Sequence, residues 1–171
     1  FEVDLKSNNQ EWFLRLQTNV KNEGVFHTDL NGFNFDRHNY RSDREVQAQV
    51  YPMPSLASIE DDKTRLTVMS EHAQGAASLH DGEIDVWMDR RLKQDDERGL
   101  SQGVQDNVKV RTTLRVLVEE KVNGAYEAEF EPTELCRLHW DDLNHPLEMF
   151  SAESGATGCE SHPRKIRKST L

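Results

Sequence analysis

Alternation of apolar and polar residues is the dominant pattern in this chain. Across residues 11–20, Trp12, Leu14, Leu16, Thr18 and Val20 fall on one face, against Arg15, Gln17 and Asn19 on the other. A period of two predicts a half-buried strand. Residues 25–30 and 33–37 flank Asn31 and Gly32, which suit the positive φ positions of a tight turn, so they are expected to pair as an antiparallel hairpin. Alternation resumes at 46–51, with Val46, Ala48 and Val50 set against Gln47 and Gln49, until Pro52 and Pro54 limit further pairing. Shorter strands are expected at 56–60 and 65–70. Residues 71–79, containing Gly75, Ala76 and Ala77, read as a crossing loop.

The clearest strand spans 109–120. Val110, Thr112, Leu114, Val116 and Val118 share one face, and Leu117 is the apolar exception on the other. Asn123 and Gly124 signal a hairpin whose return strand carries Tyr126, Ala128 and Phe130 and stops at Pro132. Residues 134–140 fit either a brief helix or an irregular connection. The succession of short strands predicts an all-β antiparallel sandwich, or part of a larger β supersandwich, with an irregular carboxy-terminal segment. Residues 1–132 form the β-rich domain or partial domain, and 133–171 an extension with a flexible end.

Between these strands lies the stretch that organises the rest, residues 81–107. Asp81 and Gly82 open it as a turn, and Ile84, Val86 and Met88 share one strand face, with Trp87 on the polar one. There Trp87 packs beneath a loop, stacks on a sugar or docks another domain. A loop follows in which Asp89, Arg90, Arg91, Lys93, Asp95, Asp96, Glu97 and Arg98 mix both signs before Gly99 and Gly103. Mixed charges permit mutual pairing, so the loop is either a solvated surface segment or one held in shape by Arg–Asp forks and able to face a polyhydroxylated ligand.

Composition narrows the function. In 171 residues only 35% are hydrophobic and 30% are charged, so the core must come from alternation. The net charge of −10 argues against a general binder of phosphate backbones, and nucleic acid is not an expected partner. Arg164, Lys165, Arg167 and Lys168 form a local basic patch, read as a frayed terminus after Pro163. No membrane span or targeting segment is apparent in this sequence. Cys136 and Cys159 are compatible with one disulfide or with two thiols.

The segments HTDLNGFNFDRH (27–38), VYPMPSLASIEDDKTRLTVMSEHAQGAASLHDG (50–82) and MDRRLKQDDERGLSQGVQDN (88–107) resemble, in order, those of glycoside hydrolase family 38, closest to its Golgi alpha-mannosidase II branch. The resemblance covers roughly the first two thirds of the chain and leaves 136–171 unmatched. Ala77 departs from the family's QGxSSL loop, which reads Gln74 to Leu79 here. The resemblance implies a carboxy-terminal, non-catalytic β-rich segment of a retaining alpha-mannosidase acting on alpha-mannosides or N-glycans. It further implies an amino-terminal catalytic barrel and other β domains of the same parent as partners, zinc bound in that barrel and not in this segment, and a Golgi or other secretory-pathway lumen as location. The alternative is a carbohydrate-binding or structural β-sandwich without hydrolase activity.

No catalytic residue is assigned here. Adjacent carboxylates such as Asp95 and Asp96 point to opposite faces of extended backbone and do not flank a glycosidic bond. The acidic turn Glu60, Asp61 and Asp62 cannot wrap an ion by itself. None of the seven histidines forms a metal-binding motif. By the resemblance, Asp89, Arg90 and Arg91 are the substrate-binding candidates, through side chains or a backbone carbonyl near Arg91, and Asp95, Asp96, Arg98 and Gly99 support the loop.

Overall fold

The computed structural model describes residues 1–95, 97–99, 101–121 and 130–147. In chain order the strands are β1 (Glu2–Val3), β2 (Gln10–Gln17), β3 (Val25–Leu30), β4 (Asn34–Asn39), β5 (Tyr51–Met53), β6 (Leu56–Glu60), β7 (Thr64–Ser70), β8 (Gln74–Ala77), β9 (Glu83–Arg91), β10 (Val110–Arg111) and β11 (Leu114–Glu120), followed by helix α1 (Glu134–Asn144). They form a five-stranded sheet in the order β11-β7-β6-β3-β4, a four-stranded sheet β2-β9-β8-β5 and the small pair β1-β10. Every pairing is antiparallel. The all-β antiparallel expectation holds, and the sheets do not close into a barrel.

Two layers of core explain the order. Phe26, Met53, Ala57, Ile59, Leu66, Val68, Ala76, Ile84 and Val86 fill the space between the two large sheets. On the opposite face of the five-stranded sheet, Leu56, Met69, Phe130, Cys136 and Leu143 form a second cluster, with Phe35, Leu117 and Trp140 packed on it. Thus β6 and β7 are buried on both faces, and their side chains divide between the clusters by alternation. Each such aliphatic side chain contributes about 1.5–3 kcal/mol. Helix α1 covers the second cluster. Its N-cap Thr133 accepts from Cys136 N at 3.0 Å and donates to Glu119 Oε1 at 2.6 Å, tying the helix start to β11.

Several sequence expectations change. Trp12 leaves the inward face because a β-bulge between Trp12 and Phe13 shifts the register, leaving Leu14 and Leu16 as the inward residues of β2. Residues 46–49 are a 3-10 turn and not a strand. Gln49, buried, accepts from Arg41 N and donates to Arg44 O, while Val46 faces out. The local polar satisfaction of the 41–44 backbone overrides the alternation. Residues 74–77, read as loop, form β8, because Gly75 lets β8 lie against Trp87 and Val50 where a Cβ would come within 2.9 Å of Val50. The 109–120 strand breaks at Thr112, which exchanges backbone hydrogen bonds with Phe1, so β10 and β11 join different sheets. Val116 and Val118 are 48% and 64% exposed, whereas Leu117, the exception, packs under α1. The β3–β4 hairpin forms as expected, with Asn31 and Gly32 at positive φ. The return strand expected after Asn123 and Gly124 lies, apart from Phe130, outside the described residues.

Candidate functional site

The 81–107 stretch begins where Gly82, at φ 74, passes so close to Thr18 that a Cβ would lie 2.3 Å from its carbonyl oxygen. Only glycine fits there. From that turn β9 runs further than its alternation suggests, through Arg91, because β2 pairs with it to the end: Trp12 with Asp89, Glu11 with Arg90 and Gln10 with Arg91. The three residues expected on a loop therefore sit on a strand end. This is a stiffer support than a loop, since each backbone is fixed by a neighbour.

A polar clasp closes beyond it. Arg91 donates to Asn8 Oδ1 at 3.1 Å, Gln105 O at 2.6 Å and Asn107 Oδ1 at 3.1 Å. Asn107 Nδ2 in turn donates to Asp89 Oδ1 and to Arg90 O, both at 2.8 Å. Leu92 N donates to Val104 O and Lys93 N to Asn9 Oδ1, so the chain leaving the strand and the chain returning to it are held side by side. At Gly103 a Cβ would lie 2.3 Å from Leu92 O, which makes glycine necessary for that approach. The expected fork partner of Arg91 was an aspartate. Here the fork is filled by two asparagines and a carbonyl, and Asp89 enters through Asn107.

The candidates thus divide by role. Asp89 and Arg91 are half-buried and use their polar atoms inside the clasp, whereas Arg90 is exposed and its side chain points away from it. Asp95 accepts from Glu97 N at 3.1 Å, a local turn bond. Arg98 and Gly99 are exposed, and an added Cβ at Gly99 would meet nothing within 4 Å. Asp96 lies outside the described residues. Asn107, Asn8, Asn9 and Gly103 are the residues that sequence reasoning did not assign. Their only signal was turn-type composition at both ends of the strand pair.

Outward on the same sheet, Trp87 stacks on Phe13 with ring centres 5.3 Å apart. Beside them Arg15 grips buried Asp85 with two bonds of 2.8 Å, and the hydrogen bond to Asp85 holds the guanidinium firmly in its charged form. Glu83 Oε1 lies 3.2 Å from Arg15, an ion-pair distance without hydrogen-bond alignment, so this buried oxygen has no hydrogen-bond donor.

Two further carboxylates, Asp61 and Glu60, are held by local donors and cations. Asp61 is held below the usual carboxylate range by backbone donors, Lys63 N first, then Lys21 N and Thr64 N. Burial pushes Glu60 upward, but Lys121 and Arg65 on its two oxygens outweigh it and the carboxyl sits low. Among the described residues no three His, Cys, Asp or Glu side chains converge to hold a metal. Cys136 is buried, and burial, then Glu119, pushes its thiol up to about 11. Cys159, with which a disulfide is one of the two alternatives the sequence leaves open, lies outside the described residues. In the folded, reduced chain, Cys136 should alkylate about two orders of magnitude more slowly than an exposed thiol at pH 8. Peptide mass spectrometry after timed iodoacetamide labelling checks this; labelling at the exposed rate would contradict the burial.

Fold and site together define a β-sandwich domain that presents a strand end shaped by its own side chains. Residues 1–98 match the glycosyl hydrolases family 38 C-terminal domain. The chain belongs to glycosyl hydrolase family 38. It is 39% identical over 150 residues to "Alpha-mannosidase 2" of Homo sapiens, covering 85% of this chain and 13% of that protein. It is 41% identical over 151 residues to "Alpha-mannosidase 2x" of Mus musculus, covering 88% and 13%. With "Alpha-mannosidase 2" of Arabidopsis thaliana it is 37% identical over 161 residues, covering 90% and 14%. The likeness therefore extends beyond the first two thirds of the chain, into the region left unmatched by its motifs. The chain spans about 13% of the length of these relatives. No helix among the described residues is long and apolar enough to cross a membrane.

Proposed function

We propose that this chain is the non-catalytic C-terminal β portion of an alpha-mannosidase and that the strand end and loop at 89–103 brace one wall of its mannoside pocket. The observation that carries the reading is the clasp of Asp89, Arg91 and Asn107, which fixes the Arg90 carbonyl and leaves the Arg90 side chain free to face a ligand. In this reading the catalytic carboxylates and zinc belong to an amino-terminal barrel of the parent, which is also the partner this face meets, and the parent works in the Golgi or another secretory-pathway lumen. This chain binds and orients; it moves no proton and forms no covalent bond.

Positioning has a measurable consequence, because misplacing a substrate wall by an ångström lowers transition-state stabilisation without removing a reacting group. In the full-length enzyme, R91A and N107A should each lower kcat/KM for an alpha-mannoside by about 10- to 100-fold. The isolated chain should show no turnover. A second reading, a structural sandwich without part in hydrolysis, is favoured by the fact that Asp89, Arg91 and Asn107 direct their polar atoms at one another. Unchanged kcat/KM in both variants, with a lower Tm, would establish that second reading and remove the first.

A further inference from the structure

Two open sheets leave exposed edges, and an edge strand presents backbone N–H and C=O groups that can pair with another chain. Three of the four edges of the large sheets are blunted. β5 is three residues long and contains Pro52. β4 carries Asp36, Arg37 and His38 in a row. β2 is broken by the bulge between Trp12 and Phe13. The fourth edge, β11, has no proline and no bulge. Its seven residues, Leu114 to Glu120, run in unbroken register with β7, and among the described residues no strand lies on its other side. Its charges sit on the α1 face, Arg115 and Glu119, or at the strand end, Glu120.

The direction of the free backbone groups follows from the ladder. Glu71 N donates to Thr113 O and Lys121 N to Lys63 O, so Thr113 and Lys121 turn their backbones toward β7. Alternate residues do the same in antiparallel pairing. Arg115, Leu117 and Glu119 therefore bond β7, while Leu114, Val116, Val118 and Glu120 turn their N–H and C=O groups to the open edge. The side chains agree with this. Leu117 packs under α1, whereas Val116 and Val118 lie on the main-core face but beyond the cover of the four-stranded sheet, 48% and 64% exposed. A regular, unpaired edge flanked by exposed valines is a template for strand pairing.

We propose that this edge pairs with a second copy of the chain, β11 against β11, antiparallel about a two-fold axis through Leu117. The strand is complementary to itself in that register. All seven of its residues then face β11 of the second copy. Val116 meets Val118, Arg115 meets Glu119, Leu114 meets Glu120 and Leu117 meets its own counterpart, and each contact occurs twice. Residues whose backbones turn outward meet one another, so their N–H and C=O groups close a ladder. Sliding the pairing by two residues in one direction sets Arg115 against Lys121, and in the other it separates Arg115 from Glu119 and shortens the overlap. Arg115 already donates to His139 O and Asp142, and Glu119 accepts from Thr133. Their approach across the interface thus supplies attraction and register, and the backbone supplies the bonds. One strand pair is a small interface, below the about 1,200 Å² of stable complexes, so the dimer is a weak one.

Sedimentation velocity of the 171-residue chain in about 0.15 M salt, which screens its net charge of −10, tests this directly. Between about 5 and 500 µM it should show a reversible monomer–dimer equilibrium with a Kd of about 10–100 µM. V118K changes an exposed side chain and puts a charge beside the free edge, so it should weaken the dimer by about tenfold or more while leaving Tm unchanged. Register is read by cysteine pairing. V116C and V118C, each combined with C159S, are mixed and oxidised, and the linked peptides are identified by mass spectrometry. Facing positions of a hydrogen-bonded pair lie about 5.5 Å apart between Cα atoms, within the span of a disulfide, so the mixed pair should link about fivefold or more faster than either variant alone. Three results would overturn the assignment: a monomer throughout the range, which leaves the edge to residues 122–129 or to another part of the parent; a dimer unaltered in V118K; or V116C linking to itself as fast as to V118C. None of these readouts involves the 89–103 loop, so each stands apart from the fate of that reading.

Discussion

Replacing Asp29 by alanine should lower the stability of this chain by about 3–6 kcal/mol, the cost of leaving three backbone N–H groups unpaired in a buried place. Asp29 is fully buried on β3. Its carboxylate accepts from Ser55 N at 2.8 Å, Leu56 N at 2.7 Å and Gly32 N at 2.9 Å, and from the Ser55 hydroxyl at 2.8 Å. One side chain thus joins the tip of the β3–β4 hairpin to the start of β6. The same node reaches α1, because Trp140 Nε1 donates to Ser55 Oγ at 2.5 Å and the Trp140 ring lies against Gly32, where a Cβ would come within 2.8 Å. D29A should therefore loosen the helix as well as the hairpin, and D29N, which keeps one acceptor oxygen and the shape, should cost less. Urea unfolding followed by circular dichroism gives the stability difference. A loss below about 1 kcal/mol for D29A would mean that water replaces the carboxylate, contrary to the burial.

Acidification should destabilise the chain well before its carboxylates titrate. Burial lowers the pKa of His27 from 6.5 to about 4, and burial also lowers that of His38, which stacks on Tyr51 and bonds Thr28. In the unfolded chain each imidazole takes up a proton near pH 6.5. Between about pH 6.5 and 4 the unfolded state therefore binds a proton at His27 that the folded state does not, so stability falls as pH falls through that window. A shift of this size corresponds to about 2–4 kcal/mol. Below it, protonation of Glu60, whose carboxylate is held by Lys121 and Arg65, removes stability in the same direction. H27F cannot take up the proton in either state and should flatten the upper part of the profile. Stability measured by urea unfolding at half-unit pH steps would decide it; an unchanged slope between pH 6.5 and 4 in H27F would show that His27 is protonated in the fold.

Both expectations concern residues that look ordinary in the chain. His27 and Asp29 belong to a short segment, VFHTDL, whose alternation shows a strand but not which polar residues are buried. The strand lies inside a five-stranded sheet that is covered on both faces, by the second sheet and by α1 with Phe130, so polar residues on its outward face are enclosed too. Local pattern reports the period of a strand; enclosure depends on what the rest of the chain places over it.

The same limit explains the clasp. The charge pattern from Asp89 to Arg98 suggested Arg–Asp forks, which do not form the clasp, and the family-like segments placed the chain in glycosyl hydrolase family 38. The actual partners in the clasp, Asn8 and Asn9 on one side and Gln105 and Asn107 on the other, are distant along the chain and meet only because β2 pairs with β9. Sequence by itself determined the all-β class, the β3–β4 hairpin and the family, because alternation, turn residues and motif order are local properties that survive without coordinates. Tertiary structure decided where β9 ends, that Gln49 and not Val46 turns inward, that Val118 stays exposed while Leu117 is covered, and that His27 Nδ1 is enclosed without a partner. Each of those depends on contacts between segments far apart in sequence, and burial and hydrogen-bond satisfaction are properties of such contacts and not of a residue or its neighbours in the chain.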